Sequence, residues 1–131
     1  MNSVKITVPV TVKAKLTEKL RTKLLDEAVK VGEQMELELK QINLDMQREL
    51  ERSPQHEAQI KNFFGNEMAP RQARLDEAHN RQETFKKLAL GAEILQGTVE
   101  RQVELKVGDN IREAMNVEIL VEDDKIIAIR G

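Results

Sequence analysis

With 131 residues and a formal net charge of −2, the chain is long enough for one domain and has no strong global field drawing it to nucleic acid or anionic lipid. Charged residues make up 34%, hydrophobic residues 40% and aromatics only 2%, a balance too apolar for disorder that leans toward long helices. The chain lacks cysteine, which excludes disulfide and thiolate chemistry and fits a reducing compartment.

The first residues read MNSVKITVPVTVKA. Val4, Ile6, Val8, Val10 and Val12 alternate with polar positions, so the spacing predicts a strand over residues 4–13 with one buried face. Pro9 falls on the polar phase and cannot donate to a ladder, which points to an edge strand or a bulge. The alternation leaves no continuous apolar signal region, and no apolar run approaches the ~18 residues that span a bilayer. A soluble cytoplasmic protein with no membrane association is expected.

From Thr17 the period changes. Leu20, Leu24, Ala28, Val31, Met35, Leu39, Ile42, Met46 and Leu50 recur at spacings of 4, 4 and 3. This is an eleven-residue repeat of roughly 3.67 residues per turn, suited to a nearly straight helix. Thr17 is the expected N-cap. Ser53–Pro54 then interrupts the run. Proline is costly inside a helix but well placed at its first position, and the residue before it is biased out of the α region. Residues 52–54 therefore read as the tip of an antiparallel helical hairpin over residues 17–90, with Ser53 capping the second arm and Pro54 opening it.

Folding the chain at Ser53 places apolar positions opposite each other along almost the whole length, Val31 with Leu75 and Ala28 with Ala78 among them. Arg71 and Gln82 are the polar exceptions, and polar seam residues can set register. Gly91 is the expected C′ glycine of the second arm. Pro70 lies inside that arm and is expected to kink or break it near Gly65–Asn66.

After Gly97 the period returns to two, and three strands are expected over residues 98–130. Gly108-Asp109-Asn110 forms a turn cluster, and Asp123–Asp124 a tight turn into Ile126-Ile127-Ala128-Ile129. The fold class that follows is α+β. A long antiparallel helical hairpin is inserted after the first strand of a small antiparallel β-sheet or half-barrel, in one domain spanning residues 1–131.

LTEKL at the helix start, SP at the tip, LALGAEI at the hairpin base, VELKVGDN and the closing EILVEDDKIIAIR resemble the YlqD family of bacterial and cyanobacterial proteins. The resemblance covers nearly the whole chain and implies the same fold. It transfers no catalytic residue, because the family's function is uncharacterised. In some bacteria its members are encoded near ribosome-maturation proteins, which implies a link to the ribosome or RNA. Relatives often carry glycine where this chain has Asp124.

Chemistry-bearing residues are sparse. His56 and His79 are far apart and have no cysteine beside them, so no metal site and no cofactor are expected. Ser3 and Ser53 are the only serines, and the scattered glycines make no phosphate loop. Gly108, Asp109 and Asn110 read better as a self-capped turn than as a cation site. Acidic and basic residues balance along the helical part, and no aromatic residue interleaves with the basic ones, so charge gives nucleic-acid binding no support.

What remains is surplus apolar surface. Leu25, Val29, Leu37 and Leu44 lie off the main stripe of the first arm, and Ile126 and Ile127 give the last strand apolar residues on both sides. A non-enzymatic scaffold or interaction protein that self-associates is the expected function. A ribosome- or RNA-associated factor is the alternative and a prefoldin-like holdase the third reading.

Overall fold

The computed structural model describes residues Met1–Gly131. In chain order the elements are β1 (Ser3–Lys15), α1 (Glu18–Arg52), a 3₁₀ turn (Pro54–His56), α2 (Glu57–Lys87), β2 (Glu93–Lys106), α3 (Ile111–Met115), β3 (Glu118–Glu122) and β4 (Lys125–Arg130). They form two compact units. One joins residues 1–20 to residues 88–131, and the other is the helical hairpin, Arg21–Lys87.

The sheet has four strands in the order β2-β1-β3-β4. β1 pairs antiparallel with β2 from Ser3↔Lys106 to Lys15↔Glu93, and β3 pairs antiparallel with β4. β1 and β3 run parallel, from Thr11↔Glu118 to Ala14↔Val121. The sheet is thus mixed and open, not the antiparallel sheet or half-barrel that the alternation suggested. Period two specifies a strand and its buried face but not the direction of its neighbour. Because β2 and β3 flank β1, the connection between them has to cross β1, and α3 packs against β1 as it does so. Val8 and Val10, in the middle of β1, are buried, as are Ala14, Leu16 and Leu120.

Pro9 sits in a central strand, yet the physics behind the edge expectation holds locally. The Thr11 N–H donates to the Val117 carbonyl, on the β3 side. Two residues earlier the nitrogen of Pro9 faces the same side, where β3 has not yet begun. β2 begins at Glu93, five residues before the expected start, and absorbs a bulge: Val12 pairs with Gly97 and Lys13 with Leu95, leaving Gln96 over. A second bulge lies in β4, where Leu120 pairs with Ala128 and Val121 with Ile126.

Thr17 caps α1 as expected. Its hydroxyl accepts from the Leu20 N–H at 3.1 Å and donates to Asp123 Oδ1 at 2.7 Å. Ser53 differs from the expectation: its side chain makes no capping bond. Its backbone does the work instead, the N–H closing α1 onto the Glu49 carbonyl and the carbonyl accepting from His56. With φ −136° and ψ 65° it lies outside the α region, as a residue before proline should. Pro54 opens a 3₁₀ turn before α2 begins at Glu57.

Gly91 is not the C′ residue of α2, which ends at Lys87. It occupies the third position of a turn closed by the Ala92 N–H on the Ala89 carbonyl, and its φ of +86° is what that position of a type II turn requires. Of the kink or break expected at Pro70, the break is absent, and α2 runs continuously through it. Pro70 removes one hydrogen bond, that to the Asn66 carbonyl, and both residues are exposed so that water can replace it.

The helices meet in a seam of Ala28, Gly32 and Met35 against Leu75, Ala78 and Phe85, all buried. Gly32 takes the place expected for Val31, which is 38% exposed. A Cβ on Gly32 would lie 3.9 Å from the Ala78 Cβ, inside the range a disulfide spans. A chain with Gly32→Cys and Ala78→Cys is therefore expected to form an intrachain disulfide at high dilution, read by mass spectrometry. Only interchain bonds would mean that the arms do not fold back on each other.

The β3–β4 turn gives a second prediction. Asp123 and Asp124 have φ of 46° and 69°, the signature of a type I′ hairpin turn, where glycine is preferred at the second position. Asp123 gains the Thr17 bond, whereas Asp124 has no such compensation. Asp124→Gly should stabilise the fold by about 0.5–1 kcal/mol, seen as a higher denaturant midpoint at unchanged slope.

Candidate self-association surfaces

The polar residues that sequence reading singled out are occupied by local structure. Asp109 Oδ2 accepts from the Lys106 N–H at 2.7 Å, and the Asp109 N–H returns to the Lys106 carbonyl at 3.0 Å. Gly108, with φ +99°, supplies the bend between them. Asn110 caps α3, its Oδ1 accepting from the N–H groups of Arg112 and Glu113. His56 lies in the 3₁₀ turn, and His79 Nε2 stands 3.9 Å from Glu36 Oε1. No three His, Asp or Glu side chains come together as a metal-holding group.

Arg71 is engaged across the seam. Its Nε donates to Glu38 Oε1 at 3.2 Å and one Nη to the Glu67 carbonyl at 2.6 Å. The pair is about a third exposed on each side, so it fixes register more than it adds stability. Beside the seam runs a groove of about 250 Å³ with Leu24, Ala28, Val31 and Ala78 among its lining residues. Glu27, Glu77, Arg74 and Arg81 are the charged groups around it, and Arg81 also lies over the Phe85 ring at 5.7 Å.

The second apolar stripe of α1 faces solvent. Leu37 is 64% exposed, Leu44 40% and Val29 38%, while Leu25 is half-buried. The cause is angular. Each residue turns the helix by about 100°, so Leu37, two residues past Met35, points away from α2. Leu44 stands in the same relation to Ile42 and Met46. Phe63 on α2 is 60% exposed and stacks edge-on against Phe64 at 5.1 Å. Sequence reading missed it, though two adjacent phenylalanines cannot both face one seam.

In the sheet unit, Ile126 is 60% exposed, Ile129 69% and Ile127 45%. Ile119 pairs with Ile129 and Val121 with Ile126, so the bulge brings Ile126 and Ile129 to one face and leaves Ile127 with no partner on β3. The simple alternation that set Ile126 against Ile127 does not apply across it. Arg130 bonds Glu93 on β2 and approaches Glu118 at 3.3 Å, and Glu118 also holds Lys13 at 2.9 Å. This group ties residues from all four strands on one face of the sheet.

A helical hairpin inserted after the first strand of a mixed four-stranded sheet defines the α+β class of the chain. The sequence model of the YlqD protein family matches residues 4–130, and the chain belongs to that family. It is similar over 98% of its length to the crystal structure of a protein of unknown function from Synechococcus sp. WH 8102, of which it covers 95%. The identity is 23% and the TM-score 0.81, a likeness that shows the fold. No curated protein matches the chain. No helix is long and apolar enough to cross a membrane.

The four-strand ion group carries a pH prediction. The hydrogen bond from Arg130 holds the Glu93 carboxyl below its ordinary value of 4.5. A carboxyl with a depressed folded pKa adds stability above its unfolded pKa and loses it as pH falls through the folded one. Stability should therefore drop as pH falls through and below the ordinary carboxyl value of 4.5, and Glu93→Gln should flatten that drop in thermal melts.

Proposed function

We propose that the chain is a non-enzymatic scaffold that self-associates through its helical hairpin. The observation carrying this reading is the exposed stripe of Val29, Leu37 and Leu44 on the side of α1 turned from the seam, with Leu25 half-exposed at its start. Such a stripe on a helix that already has a partner is what a further helix covers. The reach is sufficient. α1 has 35 residues, or about 52 Å at 1.5 Å per residue. A side-by-side contact of that length and one helix diameter of about 10–12 Å covers roughly 500–600 Å² per copy, near the low end of specific interfaces. A second copy supplies the same stripe, so a two-fold pairing matches apolar with apolar without a further protein. The engagement of Asp109, Asn110 and Thr17 in turns and caps supports a structural over a chemical role.

Exposed Phe63, with Leu44 on the other arm, supports a second reading as a holdase that grips apolar segments near the hairpin tip. Light scattering coupled to size exclusion separates the two. The scaffold reading expects a mass above 15.0 kDa at micromolar concentration. Leu37→Glu with Leu44→Glu should return it to one chain with helicity intact. A constant single-chain mass across a hundredfold concentration range, with capture of an unfolded test protein that Phe63→Ser abolishes, would replace the scaffold with the holdase.

A further inference from the structure

The side of α1 turned from α2 carries more than leucines. Each residue turns a helix by about 100°, so Leu37 and Leu44, seven residues apart, stand almost in line. Lys30 and Glu33 precede them and Arg48 and Glu51 follow, all four exposed and within about 30° of that line. Glu33 and Glu51 close no salt bridge in their own chain, and Arg48 has only a 3.8 Å approach to Asp45. Lys30 is bridged to Asp26 at 3.0 Å, and both remain exposed. From its N-terminal end the face runs plus, minus, leucine, leucine, plus, minus. In the reverse direction it has the same order with every sign exchanged, which makes it complementary to an antiparallel copy of itself.

We propose that two copies pair α1 against α1 in antiparallel register, on a two-fold axis between Lys40 and Gln41. This rests on the self-association reading above and adds to it the direction and the register. Leu37 then packs on Leu44 of the second copy, Glu33 meets Arg48, and Lys30 meets Glu51, each contact occurring twice by symmetry. The leucines make an apolar centre, and opposite charges close it at both ends.

Other arrangements lose this match. Parallel pairing sets Lys30, Glu33, Arg48 and Glu51 each beside its own copy, like charge against like. A shift that centres the axis on Leu44 leaves Leu37 against Glu51 and Lys40 against Arg48, and one that centres it on Leu37 leaves Leu44 against Lys30. The register proposed has one unfavourable contact, Lys40 with its own copy beside the axis. Glu36, one turn earlier on the same side of the helix, offers that ammonium a carboxylate. Because the contact is near the low end of specific interfaces in area, the charges select direction and register more than they add affinity.

Single-cysteine chains test the register, and the absence of native cysteine leaves them unambiguous. A mixture of Leu37→Cys and Leu44→Cys chains should oxidise to a covalent dimer, whereas neither chain alone should. In the proposed register two copies of position 37 stand seven residues apart along the axis, about 10 Å, beyond the roughly 7 Å that a disulfide spans between Cα atoms. Separately, Glu33→Arg should weaken sedimentation-measured dimerisation at least about tenfold, because it turns two attractive pairs into two repulsive ones. Adding Arg48→Glu to the same chain should restore the dimer, with circular dichroism unchanged throughout. Cross-linking of the Leu37→Cys chain with itself, or a double charge variant that dimerises no better than the single one, would overturn the register while leaving self-association standing. A constant mass of 15.0 kDa with no cross-link in any mixture would remove both. If a charge variant loses helicity, the cross-linking pattern alone decides.

Discussion

The whole structure hangs on β1 having to meet a strand that lies about eighty residues further along. The ladder ends with Lys15 beside Glu93, and the next step is sealed by the Leu16 N–H on the Ala92 carbonyl and the Gly91 N–H on the Leu16 carbonyl. Everything between has to leave and return to within one strand spacing. A single rod cannot do that, and neither can two arms of unequal length. At 35 residues for α1, and 3 plus 31 for the 3₁₀ turn and α2, the arms match closely. The Ser53–Pro54 tip therefore sits where closure demands it. Closing so long an insertion costs little more than closing a short one, because loop entropy grows only logarithmically.

The hairpin register is held by fit more than by apolar mass. Ala28, Gly32 and Ala78 let the helices approach closely, and the Leu75 side chain packs within 3.7 Å of where a Gly32 Cβ would stand. Arg71 reaches across to Glu38, which penalises a shift by one turn because the guanidinium would lose its acceptor. At the other end Arg21 Nη1 donates to the carbonyls of Phe85 and Lys86. There it satisfies late carbonyls of α2 that helix geometry leaves short of donors.

Much of this was legible in the sequence, and the misses have physical causes. Period-two runs located all four strands, and the cap at Thr17 and the tip at Ser53–Pro54 follow from local chemistry. Strand direction was not legible, because alternation is the same in parallel and antiparallel pairs, and α3 is too short at five residues to show a period. Val31 was chosen for the seam over Gly32 because hydrophobicity ranks valine first, while close helix contact ranks glycine first. Pro70 was expected to kink or break α2, and the helix is continuous. One lost hydrogen bond at an exposed position is tolerated when the flanking turns are partly covered, Phe64, Met68 and Arg71 in part and Leu75 fully. The β4 bulge was hidden, since nothing in KIIAIR says which residue will go unpaired. The candidate surfaces were half legible: the α1 stripe could be read from spacing and Phe63 from the phenylalanine beside it, whereas the shared face of Ile126 and Ile129 could not.

The choice of small residues in the seam has a consequence for the rest of the hairpin. Of its six fully buried positions, Ala28, Gly32 and Ala78 remove little apolar surface from water, leaving Met35, Leu75 and Phe85 to supply most of the hydrophobic gain. That gain is set against the ordering of two helices of 35 and 31 residues, whose conformational entropy cost rises with every residue fixed. Two helices touching along one line bury too little for such a balance to be comfortable, which is why natural bundles add a third or fourth helix. The exposed stripe on α1 is therefore not an ornament on a self-sufficient hairpin. It is apolar surface of the kind the hairpin itself lacks, and in the proposed pairing the same stripe of a second copy would cover it and supply the missing layer of a four-helix core.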